Sequence, residues 1–210
     1  VLHWGIEAPQ RGVLAAPGTY TVKLFVGDRE YSQNLEVRRD PNSRGSEDDV
    51  RQMVSLWLQV ANDINEVVDM LNQLEWVGKQ LEDMNKVLAA SSGEKKVGGA
   101  LSDFRANVEA VEDRLLQRQL HASDPKSYRD EMMLYEKLLW FSGEIGTGAG
   151  DIRNTEDYGP TSQQLEVYEI LKKRLADSRS EYRRLLDESI PELNRRLQAA
   201  GFGGIVAPKN

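Results

Sequence analysis

Near residue 45 the hydrophobic pattern of this chain changes period. From Thr19 to Val37 apolar and polar residues alternate, whereas after Ser46 apolar residues recur every three or four positions. Side chains alternate across a strand but return to one face of a helix after three or four residues, so the change of period marks a change from sheet to helix. Residues 1–39 read as sheet and nearly everything beyond Ser46 reads as long amphipathic helices. The β part is too short to build a core by itself, because an isolated two-stranded hairpin is marginal in water. On that ground the chain reads as the C-terminal piece of something larger.

The hairpin is explicit in the residues. Pro17-Gly18 marks a turn, and Thr19 to Val26 follows as a strand with Tyr20, Val22, Leu24 and Val26 on one face and Thr21 and Lys23 on the other. Gly27-Asp28 supplies a tight reversal, since glycine tolerates the positive φ that such turns need. The return strand spans Glu30 to Arg38 with Tyr31, Leu35 and Val37 apolar, and Val1 to Ile6 is a further candidate strand. The apolar face must be covered by more strands or by the helices. Tyr20, just after a glycine at the start of its strand, has the placement of the tyrosine corner of immunoglobulin-like sandwiches. A plain core aromatic is the other reading.

Asp40 to Gly45 is a linker by composition. Ser46 is a good N-cap, with Glu47, Asp48 and Asp49 favourably placed at the positive end of a helix dipole. The first helix extends to about Ala90, roughly 65 Å at about 1.5 Å per residue. Its stripe is Val50, Met53, Trp57, Val60, Ile64, Val67, Leu71, Leu74, Leu81 and Leu88, a heptad seam with Gly78 and Asn85 where apolar residues are due. Looser packing, and a docking place for another part of the protein, are therefore expected near residues 78–88. A second helix carries Val97, Leu101, Phe104, Val108, Val111 and Leu115. A third follows Ser123-Asp124-Pro125 with Tyr128, Met132, Tyr135 and Leu139. A fourth starts at Gly159-Pro160-Thr161, carries Leu165 to Leu197, is kinked or divided by Pro191, and is capped by Gly201. Short connections favour an up-and-down arrangement in which the long first and last helices pair. The competing arrangement is an extended coiled-coil rod that needs a partner chain.

Composition closes several routes to function. The 210 residues are 40% hydrophobic and 29% charged, with net charge −7, which offers no electrostatic route to nucleic acid or an anionic membrane. Lys172-Lys173-Arg174 and Arg183-Arg184 are interleaved with acids and read as solvated helix faces. The chain has no cysteine, which excludes disulfides and thiolate chemistry, and no apolar run approaches the roughly 20 residues a bilayer span requires. Neither His3 nor His121, the two histidines, belongs to a metal-ligand cluster. No Gly-x-Ser-x-Gly elbow occurs. Gly146-Thr147-Gly148-Ala149-Gly150 lacks the Lys-Ser/Thr of a phosphate-binding loop and follows a helix, so it reads as a loop. The acidic pairs Asp48-Asp49 and Glu112-Asp113 lie on polar helix faces, where solvated surface outweighs acid–base catalysis. Trp57, Trp76, Trp140 and Phe141 read as core; Trp76 lies off the seam, and a partner contact is its other reading. No residue is assigned a catalytic, cofactor-binding or metal-binding role, and no cofactor is expected.

Taken together, Pro17-Gly18-Thr19-Tyr20-Thr21-Val22-Lys23-Leu24, Tyr31 to Val37, Asp40-Pro41, Gly159-Pro160-Thr161, and Ile190-Pro191-Glu192-Leu193-Asn194 with Ala199-Ala200-Gly201 carry a resemblance over most of the chain. The combination resembles the C-terminal region of large exported bacterial proteins with sortilin-like, BNR-repeat β-propellers, often labelled glycosyl-hydrolase-like. In that family the propeller is followed by an immunoglobulin-like segment and a helical tail. The family's Asp-box, Ser-x-Asp-x-Gly-x-x-Trp, is absent here, so no catalytic residue carries over.

The resulting expectation is a mainly α fold: an antiparallel up-and-down bundle of about four helices, first and last long, preceded by a short β-hairpin segment of an immunoglobulin-like sandwich. Residues 1–40 form the β segment, 41–45 the linker, 46–201 the bundle and 202–210 a tail. The function expected is that of a non-catalytic accessory or interaction module, extracytoplasmic as the resemblance implies, that positions the propeller or docks it in an assembly. Its partners would be the propeller and immunoglobulin-like strands of the parent and other proteins of the assembly, with no nucleic acid and no membrane-spanning segment. The alternative is a share in a glycan-processing enzyme whose active site lies outside this chain.

Overall fold

Ser46 starts the first helix as its residue type requires. In the computed structural model, which describes residues 12–91, 94–117, 130–147 and 158–207, the Ser46 hydroxyl accepts from the Asp49 N–H at 3.1 Å and the Asp49 carboxylate accepts from the Ser46 N–H at 2.9 Å. This reciprocal capping box satisfies two donors at a helix start. Helix α1 then spans Glu47–Ala89, α2 spans Glu94–Leu115, α3 Leu134–Thr147 and α4 Ser162–Arg184. Thr161 and Gln164 repeat the capping box at α4, at 2.9 and 3.2 Å. A π-helical turn, Leu185–Ser189, leads without interruption into α5, Ile190–Ala199. The described residues are thus mainly helical, with four helical rods, and the strands β1 (Gly18–Val26) and β2 (Arg29–Val37) pair as one antiparallel hairpin.

The π turn is the form that the expected disturbance at Pro191 takes. The Ile190 N–H donates to the Leu185 carbonyl, five residues back. Proline lacks an N–H, and its ring crowds the preceding turn. A wider turn directly ahead of it relieves that crowding while the rod continues. Gly201, at φ 89°, then ends α5 in a Schellman motif: Phe202 N–H donates to Leu197 C=O at 2.9 Å and Gly201 N–H to Gln198 C=O at 3.0 Å.

The described residues fall into two compact units, one from 12–62 with 139–169 and the other from 63–138 with 170–207. In the first, Trp57 is buried and donates through Nε1 to Ser142 Oγ at 2.8 Å, and the Phe141 and Tyr168 rings stack at 5.9 Å. The start of α1 meets the residue ahead of α4: a Cβ on Gly159 would lie 3.0 Å from Asp49 Oδ1. Trp57 and Phe141 are core, as expected, but Trp140 is exposed.

In the second unit, α1 and α4 run the same way. Glu66 binds Arg179 through both carboxylate oxygens, one contact at 2.7 Å, and Gln73 accepts from the Tyr182 hydroxyl. Helix α2 returns in the opposite sense, with Arg114 against Glu181 at 2.8 Å. This unit's part of α1 buries Val67, Leu74, Leu81 and Leu88, seven residues apart, a spacing that Val60 begins in the first unit. Between these the buried stripe passes through Met70 and Val77, so Val77 fills the slot for which Gly78 was read, and Asn85 is exposed. The reading of looser packing over 78–88 is therefore corrected for the seam itself, where Val77, Leu81 and Leu88 are buried to 1% exposure or less. A cavity of about 430 Å³ lies beside it, lined by Asn85, Leu88, Ala89, Gly98 and Gly99.

Helix α3 begins at Leu134, later than the sequence reading, which began it after Ser123-Asp124-Pro125 and included Met132. The buried Glu136 carboxylate explains the start. It accepts from the Met133 N–H at 3.0 Å and from the Gln117 N–H at 3.1 Å, capping α3 and tying it to the end of α2. Tyr128, His121 and Ser123-Asp124-Pro125 lie outside the described residues, as do His3, the candidate strand Val1 to Ile6 and the loop residues Gly148 to Gly150.

Candidate interaction surface

The hairpin forms an apolar face in register without burying it. Gly27 at φ 58° makes the turn that the Gly27-Asp28 pair requires. The register pairs Tyr20 with Leu35, Val22 with Gln33 and Leu24 with Tyr31, so Tyr20, Val22, Leu24, Val26, Tyr31 and Leu35 share one face. The opposite face carries Thr19, Thr21, Lys23 and Phe25 against Glu36, Asn34, Ser32 and Glu30. It is tied by a Lys23–Glu30 ion pair at 2.7 Å and a Thr21–Asn34 hydrogen bond at 3.3 Å. The apolar face is open throughout: Leu24 is 58% and Leu35 53% exposed. The expectation that the hairpin leans on the helices does not hold, since every residue of β1 and β2 except Val37 is exposed. The strands end where Arg39 turns the chain towards α1.

Two local features fix the hairpin's base. The Tyr20 hydroxyl donates to the Ala16 carbonyl at 2.7 Å, four residues upstream. This is the bond of a tyrosine corner, in which a tyrosine near a strand start ties back to the backbone of the preceding turn. The segment read as a linker is ordered: Asp40 accepts from the Asn42 N–H at 2.8 Å, and Arg39 donates to the Ser43 and Gly45 carbonyls. Gly45 itself is buried, so the passage from strand to helix is held by named bonds.

Among the described residues none of the chemistry weighed in the sequence gathers into a cleft. Asp49 of the pair Asp48-Asp49 is engaged in the α1 cap. The Ser46 hydroxyl and then the Ser46 N–H hold its carboxyl below the usual range against the opposing effect of burial, with the Gly159 N–H adding to them least. Glu112-Asp113 lies on α2 with Asp113 exposed. Among the described residues no group of three His, Cys, Asp or Glu is placed to hold a metal ion, and no helix is long and apolar enough to cross a membrane. Trp76, grouped with the core aromatics in the sequence and alternatively a partner contact, is exposed and so is not core.

Sequence reasoning missed a second built feature, at the end of α5. The carboxamides of Gln80 and Asn194 each form a pair of hydrogen bonds to the backbone of the segment that follows Gly201. Polar residues at helix positions read as solvated surface, and only the apolar Ile205 after two glycines gave any signal. Comparison with family models, curated proteins and solved structures gave no match to this chain.

Proposed function

We propose that this chain is a non-catalytic interaction module whose hairpin supplies two strands of an immunoglobulin-like sandwich, in a larger exported protein of the sortilin-like β-propeller type. The observation that carries the reading is the hairpin face of Tyr20, Val22, Leu24, Val26, Tyr31 and Leu35, formed in register and exposed. A sheet face of this kind is stable in water only when a second layer covers it. The Tyr20–Ala16 bond supports the sandwich, because that corner belongs to sandwiches of this architecture. The resemblance of the hairpin and the Ile190-Pro191-Glu192-Leu193-Asn194 segment supports the parent.

Charge distinguishes the hairpin's two edges. β1 carries a single charged residue, Lys23, while β2 carries Arg29, Glu30 and Glu36. Edge strands that stay open are protected by charge, so the next strand adds along β1 and β2 remains at the sheet's rim.

Hydrogen exchange on β1 tests this directly. Alone, the chain is expected to exchange the outward amides of β1 rapidly; joined to the preceding strands of its parent, it is expected to protect them. Equal exchange in both settings overturns the sandwich. A parent sequence without Asp-box repeats ahead of this region overturns the propeller assignment. The chain is expected to show no turnover on glycosides, esters or peptides; reproducible turnover abolished by one substitution within it overturns the non-catalytic reading.

A further inference from the structure

Beyond Gly201 the chain is extended and is gripped from two sides. Asn194 of α5 takes Ile205: its Oδ1 accepts from the Ile205 N–H at 2.7 Å and its Nδ2 donates to the Ile205 carbonyl at 2.8 Å. Gln80 of α1 takes Val206 in the same manner, accepting from its N–H at 2.9 Å and donating to its carbonyl at 2.9 Å. Each carboxamide offers one donor and one acceptor, the complement that a neighbouring strand presents to a residue in a sheet. In an extended chain the backbone groups of successive residues point to opposite sides, which is why the two amides come from different helices.

The grip is selective. Ile205 is 3% exposed, so this position demands an apolar side chain, whereas Val206 is 63% exposed and leaves its position open. Gly204 lies against Asn194 so closely that a Cβ there would stand 2.8 Å from Oδ1 and 2.9 Å from Cγ. Any side chain at 204 displaces the carboxamide that holds Ile205. Three glycines, Gly201, Gly203 and Gly204, precede the gripped pair, so the segment loses much backbone freedom on docking. It is secured by side-chain amides alone and not by a ladder of backbone bonds.

We propose that Gln80 and Asn194 form a peptide-binding slot for an extended segment with glycine followed by an aliphatic residue, occupied here by the chain's own Gly204-Ile205-Val206 as an exchangeable latch. The ligand class is a peptide read through its backbone, with one buried aliphatic side chain and a mandatory glycine before it. This slot stands independently of the hairpin and of the sandwich proposed for it.

The test uses the full chain with its latch expelled by Gly204→Ala and, separately, by Ile205→Asp. A fluorescein-labelled peptide with the sequence of residues 202–207 is titrated against each and against the unaltered chain, with anisotropy as the readout. Both variants are expected to bind it at least tenfold more tightly than the unaltered chain, whose slot is filled. They are also expected to lose hydrogen-exchange protection at the 205 and 206 amides while keeping their helical circular dichroism. A peptide carrying Gly204→Ala is expected not to bind, and Gln80→Leu or Asn194→Leu in either variant is expected to abolish binding. Failure of both latch-expelled variants to bind the peptide overturns the proposal. So does binding of equal strength by the glycine-substituted peptide or by the slot variants.

Discussion

The hairpin and the first helix carry apolar stripes of equal regularity, and the two meet opposite fates. Along α1, Val60, Val67, Leu74, Leu81 and Leu88 are buried without exception, while along β1 Tyr20, Val22, Leu24 and Val26 are all exposed. The period of a pattern decides which element forms, because it reports the side-chain directions of helix and strand. Burial depends on what else the chain supplies. From residue 63 onward, α1 has Leu101, Phe104, Val108, Leu193 and Leu197 in the same unit to complete a core. The hairpin has a matching face nowhere among the described residues.

Truncating one leucine in each stripe is the sharpest way to break that contrast. Leu81→Ala is expected to cost about 2–5 kcal/mol, the range for a fully buried leucine. Leu24→Ala is expected to stay within about 0.5 kcal/mol, as exposed substitutions do. Thermal and denaturant melts of both variants measure it. A large loss from Leu24→Ala shows that the hairpin is packed after all.

A smaller effect is expected where the two regions join. Ser46→Ala removes the hydroxyl that accepts from the Asp49 N–H and is expected to lower stability by about 1 kcal/mol. The same cap is sensitive to acid. The Asp49 carboxyl is held below its usual value, chiefly by the Ser46 hydroxyl. Its favourable contribution is therefore full above the unfolded-state value, about 3.9, and is lost as pH falls through the lower native value. Chemical-shift titration of the Asp49 carboxyl should give a midpoint below that of an unstructured aspartate, and Ser46→Ala should move it upward. An unchanged midpoint in the variant removes the hydroxyl as the cause.

Much of the architecture was legible for identifiable reasons. Ser46, Thr161 and Gly201 marked helix ends because capping is local chemistry between residues three or four apart. Tyr20 was left between a corner and a core aromatic, and its hydroxyl bond, only four residues upstream, is of the kind local spacing can suggest. The Gln80–Asn194 slot was not, because its partners are separated by more than a hundred residues and its groups are polar on amphipathic helices. The start of α3 was misplaced because Glu136 is bound to Gln117, a contact that spacing along one helix does not encode. The π turn at Leu185–Ser189 was readable only as a disturbance near Pro191, without its form.

The smallest expected effects decide the register of the α1 stripe, where the heptad reading and the structure part. A strict heptad after Leu71 requires apolar residues at 78 and 85, and the chain has Gly78 and Asn85 there. The buried stripe instead keeps a seven-residue repeat through Val60, Val67, Leu74, Leu81 and Leu88, with Met70 and Val77 as its second position. Residues 64, 71, 78 and 85 flank that seam, so Val77 is buried where Gly78 was read and Asn85 lies in solvent. Nothing stands within 4 Å of a Cβ built on Gly78. Gly78→Ala should therefore gain up to about 1 kcal/mol, the helix-propensity difference between the two residues, with no steric loss. Asn85→Ala should be neutral or stabilising by a few tenths of a kcal/mol, since alanine is the better helix former at an exposed site. Melts of the two single variants and of Val77→Ala complete the comparison, with Val77→Ala alone expected to destabilise. A loss of stability in Gly78→Ala together with a neutral Val77→Ala would restore the heptad register and place a neighbouring helix against Gly78.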